Sequence, residues 1–74
     1  MVKANQKARI LEFLRNHRGI TPMEAFGELS ITKLSTRIGE LIEDGYNIRK
    51  VWVDDVNRYG EHIRYMRYFL VEIR

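Results

Sequence analysis

The sequence predicts an α+β domain of three helices followed by a C-terminal β-hairpin. Apolar residues recur at three- and four-residue spacing in three segments before Gly45, the period of helices that bury one face. Each segment is bounded by its own start or stop signals. After Gly45 the chain turns to two runs rich in β-branched and aromatic residues, split by a polar stretch, and this reads as a hairpin. A chain of 74 residues has room for one domain, 1–74, with a small core. Its 45% hydrophobic content suffices to build that core and argues against disorder.

The first helix runs from Asn5 or Gln6 to Asn16, with Ile10, Phe13 and Leu14 on its buried side. Gly19, just past the last periodic residue, ends it. Ile20 is placed to form a minimal strand before the next helix. Thr21-Pro22-Met23-Glu24 is a strong helix start: Thr21 caps the first amides, Glu24 caps back, and Pro22 sits where its missing N–H costs nothing. This short helix spans about Pro22–Glu28, with Met23, Ala25, Phe26 and Leu29 as its apolar side. After a tight connection, Ser30 or Thr32 is placed to cap a third helix, 33–44, buried through Leu34, Ile38, Leu41 and Ile42. The hairpin pairs Ile48–Val53 with Ile63–Ile73 across a loop, 54–61, marked by Asn57 and Gly60. Ile10, Phe13, Leu14, Phe26, Leu34, Ile38, Leu41 and Leu70 are expected in one core.

A helix, a one-residue strand, a short helix, a tight turn, a third helix and a long-looped hairpin follow one another in the order of a winged helix-turn-helix domain. In that module the second helix of the motif enters the major groove of DNA. The run from Gly19-Ile20-Thr21-Pro22-Met23-Glu24-Ala25 through Leu29-Ser30-Ile31-Thr32-Lys33-Leu34-Ser35-Thr36-Arg37-Ile38, with Leu41, Asp44-Gly45-Tyr46-Asn47-Ile48 and Tyr68-Phe69-Leu70, resembles a small winged helix-turn-helix family of bacteriophages and prophages. The resemblance covers nearly the whole chain. It implies a double-stranded DNA-binding protein, a small phage or mobile-element transcriptional regulator that acts by occupying its site. The expected address is the cytoplasm of a bacterial host, since Met1–Asn5 leads into a charged helix pattern without a signal-peptide run.

The first turns of helix 33–44 present Lys33, Ser35, Thr36 and Arg37. A lysine or arginine pairs with guanine, a serine or threonine hydroxyl with any base, and a threonine methyl with thymine. Arg58 and Tyr59 lie in the wing, 54–62, where they would meet phosphate or the minor groove. These six are the expected DNA contacts. In isolation such charges would be an ordinary solvated face, and their place on the third helix gives them meaning. Glu40 would accept from cytosine or repel phosphate. The net charge is +3, a mild lean toward polyanions. Its distribution is uneven: Glu24, Glu28, Glu40, Glu43 and Asp44 outnumber Lys33 and Arg37 in the middle of the chain, and both ends are basic.

Other chemistries find little support. There is no cysteine, so no disulfide and no thiolate metal site. His17 and His62, the only histidines, have no companions at metal or catalytic spacing, and no phosphate-binding glycine loop is present. No enzyme activity, cofactor, metal, small-molecule ligand or membrane span is expected. Trp52 is expected to pack in the core or hairpin. Strand alternation sets Met66, Tyr68 and Leu70 on one face and Tyr65, Arg67 and Phe69 on the other. The exposed set, or the first helix, would support a homodimer. The competing readings are a winged-helix protein-docking module without DNA binding and an RNA binder that uses the basic ends and aromatics.

Overall fold

The structure, a computed structural model, describes residues 5–72. Met1–Ala4 and Ile73–Arg74 lie outside the described residues; the second strand, expected to run to Ile73, already ends at Leu70. The elements are α1 (Gln6–Asn16), α2 (Pro22–Leu29), α3 (Leu34–Glu43), β1 (Ile48–Val56) and β2 (His62–Leu70). The architecture is three helices followed by an antiparallel hairpin, as expected. No described helix is long and apolar enough to cross a membrane.

The signals at the start of α2 act where they were read, whereas α1 ends at His17 in extended backbone rather than at Gly19. Asn5 caps α1 through its side chain. Thr21 and Glu24 form the reciprocal capping box, with Pro22 at the first helical position. Ile20 bridges to Tyr68, exchanging backbone hydrogen bonds of 2.9 Å in both directions. Tyr68 also faces Lys50 across the hairpin, so β2 lies between Ile20 and β1. Gly19 makes the entry to this bridge possible. Its φ is +84°, and a Cβ there would stand 2.8 Å from the Tyr68 carbonyl oxygen and 3.0 Å from the Phe69 ring.

The core joins every element. Ile10, Leu11 and Leu14 of α1, Ile20, Ala25 of α2, Ile31, Leu34, Ile38 and Leu41 of α3, and Tyr68 of β2 are buried together. Phe13, Ile48, Met66 and Leu70 pack against them, half-buried. Burial also holds the Tyr68 phenol above its usual pKa, in its neutral form.

Several expectations are corrected. Phe26 is not in the core: it is 63% exposed, and Met23 is 80% exposed. The eight-residue α2 lays Ala25 and Leu29, one turn apart, against the core, and the small Ala25 permits close approach. Residues 23 and 26 therefore point away. Ile42 is exposed at the flank of α3. Neither Ser30 nor Thr32 caps α3, whose N-cap is Lys33 with no side-chain hydrogen bond. Ser30 instead takes the left-handed conformation (φ 57°) that ends α2, its N–H reaching the Ala25 and Phe26 carbonyls. The chain then turns Ile31 into the core, with its N–H on the Ala25 carbonyl. Both strands extend further toward the tip than expected, so Asp54 and Asp55 belong to β1 and the connection narrows to 57–61.

Two substitutions test this packing. Leu41→Ala should cost about 2–5 kcal/mol by leaving a cavity. Gly19→Ala should cost at least about 1–3 kcal/mol from its backbone conformation alone, with the Tyr68 contact added. Urea unfolding of each variant against the parent gives both values, and a Gly19→Ala protein as stable as the parent would show that the bridge does not need this turn.

Candidate nucleic-acid interface

The buried stripe of α3 fixes what its outer face displays. With Leu34, Ile38 and Leu41 inward, Lys33, Ser35 and Thr36 are exposed. Among the described residues none of these side chains has an intramolecular partner. Nothing lies within 4 Å of a Cβ placed on Gly39, so the outer surface stays open one turn further on. The start of α3 has no side-chain cap and no acid in its first turn. Its leading amides and the positive end of its dipole are thus not used up by its own chain.

Arg37 is differently placed. It is half-buried, donates from Nε to Gln6 Oε1 at 3.0 Å, and pairs through Nη1 with Glu40 Oε1 at 2.7 Å. Its guanidinium braces α3 against the start of α1. Beside it, Lys7 Nζ meets Asp44 Oδ2 at 2.8 Å, and this hydrogen bond and charge keep the Lys7 ammonium above its usual pKa. These contacts bear on the acidic middle of the chain. Glu40 has Arg37, Asp44 has Lys7, and Glu24 is spent in the capping box at Thr21. Among the described residues only Glu28 and Glu43 of that segment keep carboxylates without a partner.

The wing tip is organised by Asn57. Its Oδ1 accepts from the Tyr59 and Glu61 amides at 2.9 and 3.0 Å, its Nδ2 donates to Glu61 Oε1, and its backbone N–H closes on the Glu61 carbonyl. Gly60 supplies the positive φ that the turn requires. Held on this frame, Arg58 and Tyr59 project outward, Tyr59 with 79% of its surface exposed. The structure places Lys33, Ser35 and Thr36 together on α3 and Arg58 and Tyr59 together on the wing tip, and sets Arg37 in the joint between α1 and α3.

Sequence reasoning missed three features of this surface. Gln6 and Lys7 reach from α1 to α3, a contact that no local pattern reveals. Trp52, expected to pack in the core or the hairpin, lies outside the core and is 54% exposed; it packs within the hairpin, with the Arg64 guanidinium over its ring, 4.4 Å from the centroid. Alternation places Trp52 and Asp54 on one face of β1, and Arg64 joins them once the register sets Trp52 against Met66 and Asp54 against Arg64. Last, neither face of β2 is left open: Met66, Tyr68 and Leu70 pack on the core, and Tyr65, Arg67 and Phe69 on the other face are half-buried as well, because Gly19 and the start of α2 lie against that side of β2. They offer no open aromatic surface. Among the described residues no group of side chains is arranged to hold a metal ion.

Asn57→Ala should remove the side-chain bonds that shape the tip without touching the core. Amide exchange at Tyr59 and Glu61 should quicken while the unfolding midpoint barely moves; unchanged exchange at both would mean that the backbone alone sets the loop.

The model of a family described as a winged helix-turn-helix domain matches residues 5–73. No curated protein and no solved structure matches the chain. The chain belongs to the winged helix-turn-helix family.

Proposed function

We propose that this winged helix-turn-helix domain binds double-stranded DNA, with the start of α3 in the major groove and the wing tip against the backbone or minor groove. The observation that carries the reading is the outer face of α3. Among the described residues Lys33, Ser35 and Thr36 stand exposed and unengaged at its start, beside helix amides with no side-chain cap and no acid in the first turn. Base readout in this motif uses those turns, and the three residues supply a cation, two hydroxyls and a methyl. The pairing of Glu40 with Arg37 and of Asp44 with Lys7 lowers the electrostatic objection raised by the acidic middle of the chain. Arg37 serves first as a brace between α3 and α1, with its Nε on Gln6 and its Nη1 on Glu40.

On this reading the protein is a small phage or mobile-element transcriptional regulator in the bacterial cytoplasm. It acts by occupancy, blocking polymerase or placing another protein on DNA. One module of this kind buries on the order of 600–1,000 Å² on DNA, so tight specific binding calls for two copies on one site. A second reading, a protein-docking module, is favoured by one observation: Met23 and Phe26 sit exposed on α2, where an apolar partner surface could cover them.

Filter binding of the full chain to random duplex DNA across a salt series tests the proposal. The parent should bind with a marked salt slope. Lys33→Ala and Thr36→Ala should each lose about 1–3 kcal/mol and relax preference at one base position. Arg58→Ala should weaken all sequences alike and lower the salt slope by about one unit. Glu40→Gln keeps a partner for Arg37 but removes a charge, so binding should tighten with the preferred sequence unchanged. A parent without salt-dependent DNA binding would hand the function to the docking surface of α2.

A further inference from the structure

Among the described residues β1 has a strand neighbour on one side only. The ladder with β2 is bounded by hydrogen-bonded pairs: the Val71 N–H reaches the Asn47 carbonyl at 2.9 Å, and the Asn57 N–H reaches the Glu61 carbonyl at 3.0 Å. Bonded and non-bonded pairs alternate along an antiparallel ladder. The odd-numbered residues of β1 therefore turn their backbone groups toward β2. Ile48, Lys50, Trp52, Asp54 and Val56 turn theirs to the open edge.

The side chains along this edge form an ordered series: Arg49-Lys50-Val51-Trp52-Val53-Asp54-Asp55. Bases lead, acids follow, and an apolar centre lies between. Laid antiparallel against a second copy of itself about Trp52, the strand complements itself. Arg49 faces Asp55, Lys50 faces Asp54, Val51 faces Val53, and Trp52 faces its counterpart. In that register the pairs that exchange backbone hydrogen bonds are the even-numbered ones, whose groups point outward. Neighbouring registers fail. Centring on Lys50 or Asp54 sets like charges directly opposite, which destabilises a sheet. Centring on Val51 sets Lys50 against Trp52 and Arg49 against Val53. Centring on Val53 sets Asp54 against Trp52 and Asp55 against Val51.

We infer that two copies of this chain pair through their β1 edges, antiparallel and about a two-fold axis at Trp52, into one continuous sheet. The contact is isologous, as a closed dimer requires, and it is the strand-addition mode in which backbone bonds give affinity and alternate side chains give register. It would cover Val51 and Trp52, which are 46% and 54% exposed in the single chain. Among the described residues Arg49 and Lys50 have no partner within the chain. Asp54 faces His62 Nε2 at 3.1 Å and Arg64 at 4.0 Å, and Asp55 accepts from the Val56 amide at Oδ1 and from the Tyr65 hydroxyl at Oδ2, 3.4 Å away; each carboxylate oxygen has a further lone pair for a cation. Charges on an edge strand often serve only to prevent pairing. Charges of one sign would do that best, whereas here opposite signs are separated to the two ends of the strand. The inference keeps the expectation of a homodimer but moves its surface from the hairpin aromatics or the first helix to the β1 edge, and it does not depend on DNA binding.

The test uses the full chain without DNA. Sedimentation equilibrium of the parent should show a concentration-dependent dimer. An acidic-edge variant (Arg49→Asp, Lys50→Asp) and a basic-edge variant (Asp54→Lys, Asp55→Lys) should each dimerise at least tenfold more weakly. Mixed in equal amounts, they should form a one-to-one dimer. In the parent, the Lys50, Trp52 and Asp54 amides should exchange at least tenfold more slowly as the concentration rises through dimerisation, a readout that needs no variant to fold. A parent dimer that both variants keep undiminished, with those amides unprotected, would overturn the β1 surface and leave a homodimer through another face. A parent that stays monomeric would overturn both.

Discussion

The reciprocal backbone bonds between Ile20 and Tyr68, 2.9 Å each way, join the helical half of the chain to the hairpin. Without them β1 and β2 would be a two-stranded ribbon, which is marginal in water by itself. The bridge makes β2 a central strand and seats Tyr68 in the core beside residues of all three helices. Gly19 is the condition for this contact, because the chain must leave α1 and pass within van der Waals distance of the β2 backbone. The direction of the wing relative to α3 follows from this junction and from the packing of Ile48, Met66 and Leu70 beneath it.

Electrostatics is arranged locally rather than as a broad field. A net charge of +3 on a small domain gives weak steering at physiological salt, where screening acts over about 8 Å. What matters is which charges are already engaged. Lys7, Arg15 and Arg37 hold elements together by pairing with Asp44, Glu72 and Glu40, at surface positions where each pair contributes modestly to stability. Among the described residues Lys33, Arg49, Lys50 and Arg58 keep their donors available. The division separates cations that define shape from cations that meet something outside the chain.

Much of the fold was legible from local chemistry. The Thr21–Glu24 box, Pro22 and the stripe of Leu34, Ile38 and Leu41 specify their elements through contacts within a few residues. The legible part stopped where burial depends on partners distant in sequence. Ile31 lies in a connector without periodicity, so nothing local marked it as core. Met23 and Phe26 share the helical spacing of Ala25 and Leu29, and only the way α2 meets the core decides which pair is buried. The ends of β1 and β2 were misread because Asp54 and Asp55 are poor strand formers in isolation, yet the ladder continues through them to Asn57. On the candidate surface, Lys33, Ser35, Thr36, Arg58 and Tyr59 were readable as exposed polar positions. The engagement of Arg37 with Gln6 was not, since it depends on how α1 crosses α3.

Trp52 is the only tryptophan of the chain, and it stands half in water on the wing under the Arg64 guanidinium. Its emission therefore belongs to the hairpin and not to the helical core. Fluorescence will report the wing's surroundings, while the loosening of α1 or α3 can pass with little change in the signal. The two halves of the molecule can thus be followed separately without a label, the wing by indole fluorescence and the helices by far-ultraviolet dichroism.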